Sequence, residues 1–306
     1  MTLTREGCCA LGYSCCPECS VGSVGQPRGK EEQMLKHGYP AYTTSCAWLC
    51  SSDQLLKQLC TEALKEGWTK FKVKVGADLK DNIHRFRFIQ KMIGPDKIMM
   101  NITFCYCRNA FDFYFPYPQM LDVTELAEFK PLWTEEPTSP DDILGHATIA
   151  KALALLGIGV ATGEHCQKRV IFKQLLQAKA LTYLQIDSCR LGSVNENLSV
   201  LLMAKNFCLP WCWGNWPCEL VQHLKVFDYI SVSGTPLFVF FSRMCEFVDH
   251  LHKHFKYPTV IKNASYMPPQ DAGYPTEMKE NSARNYQFPE GEVWQEHLSS
   301  QKAQQH

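Results

Sequence analysis

Two lysines and three acids have the types and spacing for chemistry in this sequence. Lys72 and Lys74 alternate with Phe71, Val73 and Val75 in a run that closes on Gly76. On a strand the period is two, so the apolar residues point one way and the two ammonium groups share the other face. Alone, the run reads as a half-buried strand with a solvated basic face. The sharper alternative is a proton-transfer pair, because a second cation at close range disfavours protonation of the first. Acids end three later β-like runs: Glu135 in Trp133-Thr134-Glu135-Glu136-Pro137, Glu164 in Ala161-Thr162-Gly163-Glu164, and Asp187 in Gln185-Ile186-Asp187. Taken separately, each acid reads as a loop or helix-capping residue. Taken jointly, they gather ionisable groups at successive strand ends. Carboxylate oxygens without sulfur or clustered imidazole favour a hard cation, magnesium before zinc.

The elements that must position these groups follow from the apolar pattern. Short β-like runs fall at 41–47, 71–75, 98–102, 132–134, 158–161, 183–186, 209–212 and 229–232. Helical segments separate them. Leu55, Leu56, Leu59, Ala63 and Leu64 recur at helical spacing after Ser52 and stop at Gly67; Leu79, Ile83, Phe86, Ile89 and Ile93 do the same and end at Gly94-Pro95. Ser139-Pro140-Asp141-Asp142 supplies a cap, a proline and two acids for a helix running to Gly157. Strand and helix in strict alternation imply parallel strands with crossover helices. The fold class predicted is α/β, a TIM-type barrel; an open doubly wound sheet is the alternative, but no Gly-rich phosphate fingerprint follows any strand. A barrel places catalytic groups at the carboxyl ends of its strands, where these acids fall.

Composition narrows the class further. The 306 residues are 45% hydrophobic, enough for a large core, and 31 Lys and Arg balance 31 Asp and Glu. Zero formal charge gives no reason to expect nucleic acid or an anionic membrane surface as a partner. The longest apolar runs, 198–204 and 236–241, fall far short of the roughly 20 residues that span a bilayer. Five of the 16 cysteines crowd the start, at Cys8, Cys9, Cys15, Cys16 and Cys19. Without a second paired cluster or a nearby histidine they read as part of a disordered leader, with a zinc knot as the alternative. The others read as reduced core thiols. The domain division expected is a leader over 1–40, a barrel over 41–265 and a C-terminal extension over 266–306. The N-terminus shows neither an unbroken apolar stretch nor an Arg-rich presequence, so no import signal is expected.

The motifs Phe71 to Gly76, Trp133 to Pro137, Ala161 to Glu164 and Gln185 to Asp187 together resemble the enolase superfamily, in its mandelate-racemase branch. The runs Gly145 to Ile149, Arg169 to Ala180, Leu191 to Lys205 and Phe247 to Leu251 are similar, more narrowly, to its L-fuconate dehydratase group. The resemblance implies a (β/α)7β barrel in which Mg2+ and a lysine base abstract the proton next to a sugar-acid carboxylate. A hydroxyl then leaves, giving a 2-keto-3-deoxy acid. It makes Lys74 the base, Lys72 its electrostatic neighbour, Glu135 and Glu164 metal ligands, and Asp187 the acid that orients a catalytic histidine. It also implies a small acid sugar as partner and a mitochondrial location, with the cytoplasm as the alternative. The chemistry needs such residues: a proton next to a carboxylate is weakly acidic, so a cation must hold the developing dianion while a base removes it.

The departures from the family pattern are specific. A metal-binding Asp is expected after the third strand, where this chain reads Met100-Asn101-Ile102-Thr103. Asn101 offers only a neutral oxygen, so a weakened Mg2+ site is expected. Residues 104–120 are dense in aromatics and contain Pro116-Tyr117-Pro118, which would break the helix due there. The seventh strand is followed by no histidine, the nearest being His223 in the next helical segment, so Asp187 has no partner to orient. An apolar run at 234–241 replaces an expected polar link, and in place of the family's α+β capping domain stands a leader of about 40 residues. Without such a lid the site is expected to stay wet. The expectation is an acid-sugar dehydratase with activity reduced or lost. The alternative is a non-catalytic barrel remnant that binds metal weakly, or a partner protein through exposed apolar segments.

Overall fold

A computed structural model describes residues 27–44, 46, 51–75, 78–103, 123–207, 209–213, 218–232, 243–248, 251–270 and 276–303. The early cysteines and the segments 104–120, 214–217 and 234–241 lie outside the described residues. A helix, α1 (Pro27–His37), occupies the end of the stretch read as leader. Eight parallel strands follow: β1 (Tyr39–Thr43), β2 (Lys70–Val75), β3 (Ile98–Thr103), β4 (Trp133–Glu135), β5 (Gly159–Thr162), β6 (Tyr183–Ile186), β7 (Trp211–Trp213) and β8 (Arg243–Phe247). Each pairs with the next from β2 to β8, and β1 lies beside both β8 and β2, so the strands run round a ring.

Local chemistry sets the crossovers. The helix α2 (Asp53–Lys65) starts where the Ser52 side chain accepts from the Leu55 N–H, and α3 (Leu79–Ile93) where Asp78 accepts from Asp81 N–H. The helix α4 (Ile143–Ala154) begins after Asp142, whose carboxylate accepts from Gly145 N–H at 2.8 Å. Pro140 and Asp141 form the preceding turn instead of the first helical turn. After them come α5 (Arg169–Gln177), α6 (Val194–Asn206), capped by Ser193, and α7 (Cys218–Phe227).

The eighth strand is not where the apolar pattern places it. Residues 229–232 belong to a π-helical turn, Asp228–Val232, that continues α7. A four-residue apolar run cannot be told from buried helix by periodicity. The true β8 carries no apolar alternation, because Arg243 and Glu246 interrupt it, although both are buried.

Two layers of core result. Between strands and helices lie Phe71, Val73, Val75, Phe86, Ile89, Phe172, Leu175 and Leu201, all nearly inaccessible. Inside the ring a smaller plug forms from Tyr42, Met100, Trp133, Ala161 and Met244. Trp133 packs edge-on to Tyr42 at 5.9 Å and against Tyr183 at 4.7 Å. Cys46, Cys60, Cys166 and Cys245 are buried thiols. Beyond the ring, β9 (Val260–Lys262) and β10 (Ser265–Met267) form a hairpin that adds to β1, Tyr39 opposite Tyr266. The helices α8 (Glu280–Tyr286) and α9 (Glu292–Ala303) follow. No helix among the described residues is long and apolar enough to cross a membrane.

Candidate active site

Strand register decides which side chains enter the ring. Lys72 pairs with Met100, Lys74 with Ile102 and Ile102 with Glu135, which places Lys72, Lys74 and Glu135 on the inner alternation. Tyr42 pairs with Glu246, which brings a further carboxylate to the same side at the end of β8. Phe71, Val73 and Val75 take the outer positions and pack beneath the helices. The basic face of β2 is therefore an interior one.

Lys72 is the centre of the arrangement. Its Nζ donates to Glu135 Oε1 and Oε2 at 3.0 and 3.1 Å, and lies 2.8 Å from Glu246 Oε1. The three residues are 1%, 0% and 4% exposed, so a fully buried cation is balanced by two buried acids. The Tyr42 ring lies 5.5 Å from the ammonium, and the Tyr42 hydroxyl donates to Glu246 Oε2 at 3.4 Å. Burial alone would pull the Lys72 pKa down; Glu135, Glu246 and Glu164 together outweigh it and hold the value above that of an ordinary lysine. Burial raises Glu135 to about 7, against Lys72 and with the help of the charges on Glu246 and Glu164.

Lys74 sits one step nearer the mouth, half-buried. Burial first, and then the charge of Lys72, hold its ammonium below the usual lysine value, opposed by Glu246, Glu164 and Glu135. A lysine so placed is a better base near neutral pH than a free one. Glu164 follows β5 through Gly163, whose φ of 138° is a backbone conformation that favours glycine; a Cβ there would meet the Gln185 carbonyl oxygen at 2.0 Å. Burial raises the Glu164 carboxyl, Lys72 draws it down, and Glu246 and Glu136 push it up again, leaving it above the ordinary range.

The remaining expected residues are engaged elsewhere. Asp187 accepts from Cys189 N–H at 2.7 Å and lies 3.5 Å from Arg190 Nε, so its carboxylate closes a local loop. His223 is on α7, not on β7. A different imidazole reaches the mouth: His165 Nδ1 lies 2.5 Å from Glu136 Oε1, and Glu136 adopts a left-handed φ of 49°. Neither this pair nor Glu246 was singled out by motif. Glu246 could have been found only by placing β8 correctly, and the pair by noting that Glu136 and His165 each follow a strand-end acid.

These residues test the three-ligand divalent site that the resemblance implies. The donors are hard oxygens, which suits magnesium in kind. They do not suit it in number or arrangement. Asn101 falls in register with Val73 and Thr134 and carries a neutral amide where the resemblance implies an acid. Among the described residues no group of three His, Cys, Asp or Glu side chains is placed to hold a metal ion. Lys72 already supplies a counter-charge to Glu135 and Glu246.

A parallel ring of eight strands with lysines on the second and acids at the ends of the fourth and fifth defines a class of barrel, and comparison with known proteins identifies it. Residues 55–282 match the family described as enolase C-terminal domain-like, and the chain belongs to the enolase superfamily. It is 65% identical over 303 residues to mitochondrial enolase superfamily member 1 of Bos taurus, covering 98% of this chain and 64% of that protein. It is 43% identical over 270 residues to the L-galactonate dehydratase of Hypocrea jecorina, covering 87% of this chain and 57% of that one. The crystal structure of human mitochondrial enolase superfamily member 1 superposes with a TM-score of 0.82 at 60% identity, over 92% of this chain and 61% of the human one. The chain thus spans less than two thirds of the length of these relatives.

Proposed function

We propose that this chain is an acid-sugar dehydratase homologue that keeps the base-bearing half of the site and turns over more slowly than its longer relatives. One observation carries the reading: Lys74, half-buried and held below its usual pKa, stands beside Lys72, which Glu135 and Glu246 fix in place. In this reading Lys74 removes the proton next to the carboxylate of a small acid sugar. The Lys72 ammonium offsets part of the negative charge that develops, because a charge already held in place needs no reorganisation. The Hypocrea relative, an L-galactonate dehydratase, supports the substrate class. We assign the L-fuconate group within it, and a mitochondrial location, from the motifs and from the name of the Bos taurus relative. No step is assigned to Mg2+, since the described residues do not supply its three ligands.

A second reading is a non-catalytic barrel that binds a partner or holds metal weakly. It draws on Asp187, which meets Arg190 where a catalytic histidine would be needed. Incubation with L-fuconate and Mg2+, following 2-keto acid, separates the two. The expected result is slow turnover, below that of a full-length relative run as control, that disappears in Lys74→Ala. No turnover beside an active control would establish the second reading, and turnover that survives in Lys74→Ala would sink the first.

A further inference from the structure

His146 is a titratable side chain that the proposed chemistry leaves unused. It is the fourth residue of α4, in the first turn of that helix, and it is 0% exposed. Its Nδ1 lies 2.9 Å from the Asp142 carbonyl oxygen, which also accepts the His146 backbone N–H at 3.1 Å. A carbonyl oxygen only accepts, so Nδ1 carries the ring proton and the lone pair is on Nε2. Nε2 is buried and has no hydrogen-bond partner among the described residues. The imidazole is therefore packed in its neutral form, with one nitrogen bonded and the other against apolar surroundings.

A second proton has only Nε2 to go to. There it makes a buried donor without an acceptor, at the helix end where the peptide dipoles disfavour a cation. Little compensating charge is at hand. Of the elements packed against α4, β5 has no titratable residue and α5 carries Arg169 and Lys173, both exposed cations. Glu135 of β4 is inside the ring with Lys72, and Lys151 of α4 is exposed. The nearby acid is Asp142, whose carboxylate already accepts from Gly145 N–H at 2.8 Å and from the Thr138 hydroxyl at 3.4 Å. Burial lowers the imidazole below its ordinary value of 6.5, and the bond to the Asp142 carbonyl and the Asp142 charge draw it back by less. We propose that His146 is an acid-operated release for α4: the packed state cannot keep a proton on Nε2, so on acidification the ring turns to water and the first turn of the helix lifts from β5. The device needs no substrate and stands apart from the lysine site at the mouth.

The sign follows from the two states. The unfolded chain takes this proton near pH 6.5 and the packed state only at lower pH, so the stability is whole above 6.5 and is lost as pH falls through that value. The test is urea unfolding of the full chain across about pH 5–8, beside His146→Asn, which keeps an amide donor for the Asp142 carbonyl and cannot titrate. Below pH 6.5 the unfolding constant of the unaltered chain should rise relative to the variant by up to about tenfold per pH unit, the effect of one proton. Glu135 acts in both proteins, so the difference between them reads His146 alone. If His146→Asn does not fold, the unaltered chain decides. Exchange of the His146 C2 hydrogen against pH, read by mass spectrometry, should have its midpoint below 6.5, and amides in the first turn of α4 should lose protection on acidification before those of α2. Parallel pH curves for the two proteins, a His146 midpoint at or above 6.5, or α4 protection that falls only with that of α2 would overturn the proposal.

Discussion

The Lys72 ammonium on β2 meets the Glu246 carboxylate on β8 at 2.8 Å, reaching across β1, which lies between those strands. Tyr42 of the bridged strand touches both partners, its ring beside the ammonium and its hydroxyl on the carboxylate. The contact therefore joins three strands at the point where the ring comes together.

Removing one partner of such a buried pair leaves an uncompensated charge. Lys72→Met should cost about 3–5 kcal/mol in urea unfolding. Replacing Lys72 and Glu246 together by Met and Gln should cost less than the sum of the single changes. A double-mutant cycle with no coupling would show that the contact does not hold in solution.

Glu135 gives the folded chain a pH dependence of definite sign. Its carboxyl keeps its proton up to about pH 7, against an ordinary value of 4.5. Between those limits the native state binds more protons than the unfolded one, so this group lowers stability as pH rises through the window. Glu135→Gln should lose that slope, and urea midpoints taken across the window in both proteins would reveal it.

Magnesium should bind feebly. Millimolar Mg2+ should leave the thermal transition of the chain nearly unmoved, since a ligand below its dissociation constant adds little stability. In Lys72→Gln, where Glu135, Glu164 and Glu246 lose their internal cation, the same addition should raise the transition. Tight Mg2+ binding to the unaltered chain by calorimetry would count against the arrangement described.

Lys74 should react as an unusually nucleophilic amine. Its acylation rate against pH, followed by peptide mass spectrometry, should have a midpoint below that of a free lysine side chain in a model peptide. Lys72→Met should move the midpoint upward only part of the way, because burial outranks the neighbouring charge as the cause.

Gly163→Ala should destabilise the barrel by about 3 kcal/mol, from a strained φ combined with a backbone clash. A fully stable Gly163→Ala variant would mean that β5 and β6 separate there more easily than the 2.0 Å approach allows.

Much of this was legible in the order of residues. Alternation placed Lys72 and Lys74 on one face of β2, and strand-end acids marked Glu135 and Glu164. Periodicity does not say which face is inward, and here the charged face is the interior one, held there by acids from β4 and β8. Asn101 matched a motif by position, and its neutral amide in place of an acid was visible in the residue type alone. Glu246 stayed hidden because a strand buried on both sides can carry Arg and Glu when partners from distant strands neutralise them, and so loses the apolar signature. The contact of Asp187 with Arg190 is local and was open to reading, since the two lie three apart.

The seam of the ring has a bearing on how the chain assembles. Tyr42 and Glu246 meet across 204 residues, and Tyr39 pairs with Tyr266 from the hairpin beyond. As the chain leaves the ribosome, β1 can meet β2 early, but the edge that β8 and the hairpin cover stays open until both have been made. Contacts this distant in sequence form slowly, because a long loop must close before they repay its entropy. The earliest strand of the barrel is thus the one exposed longest to wrong partners during synthesis.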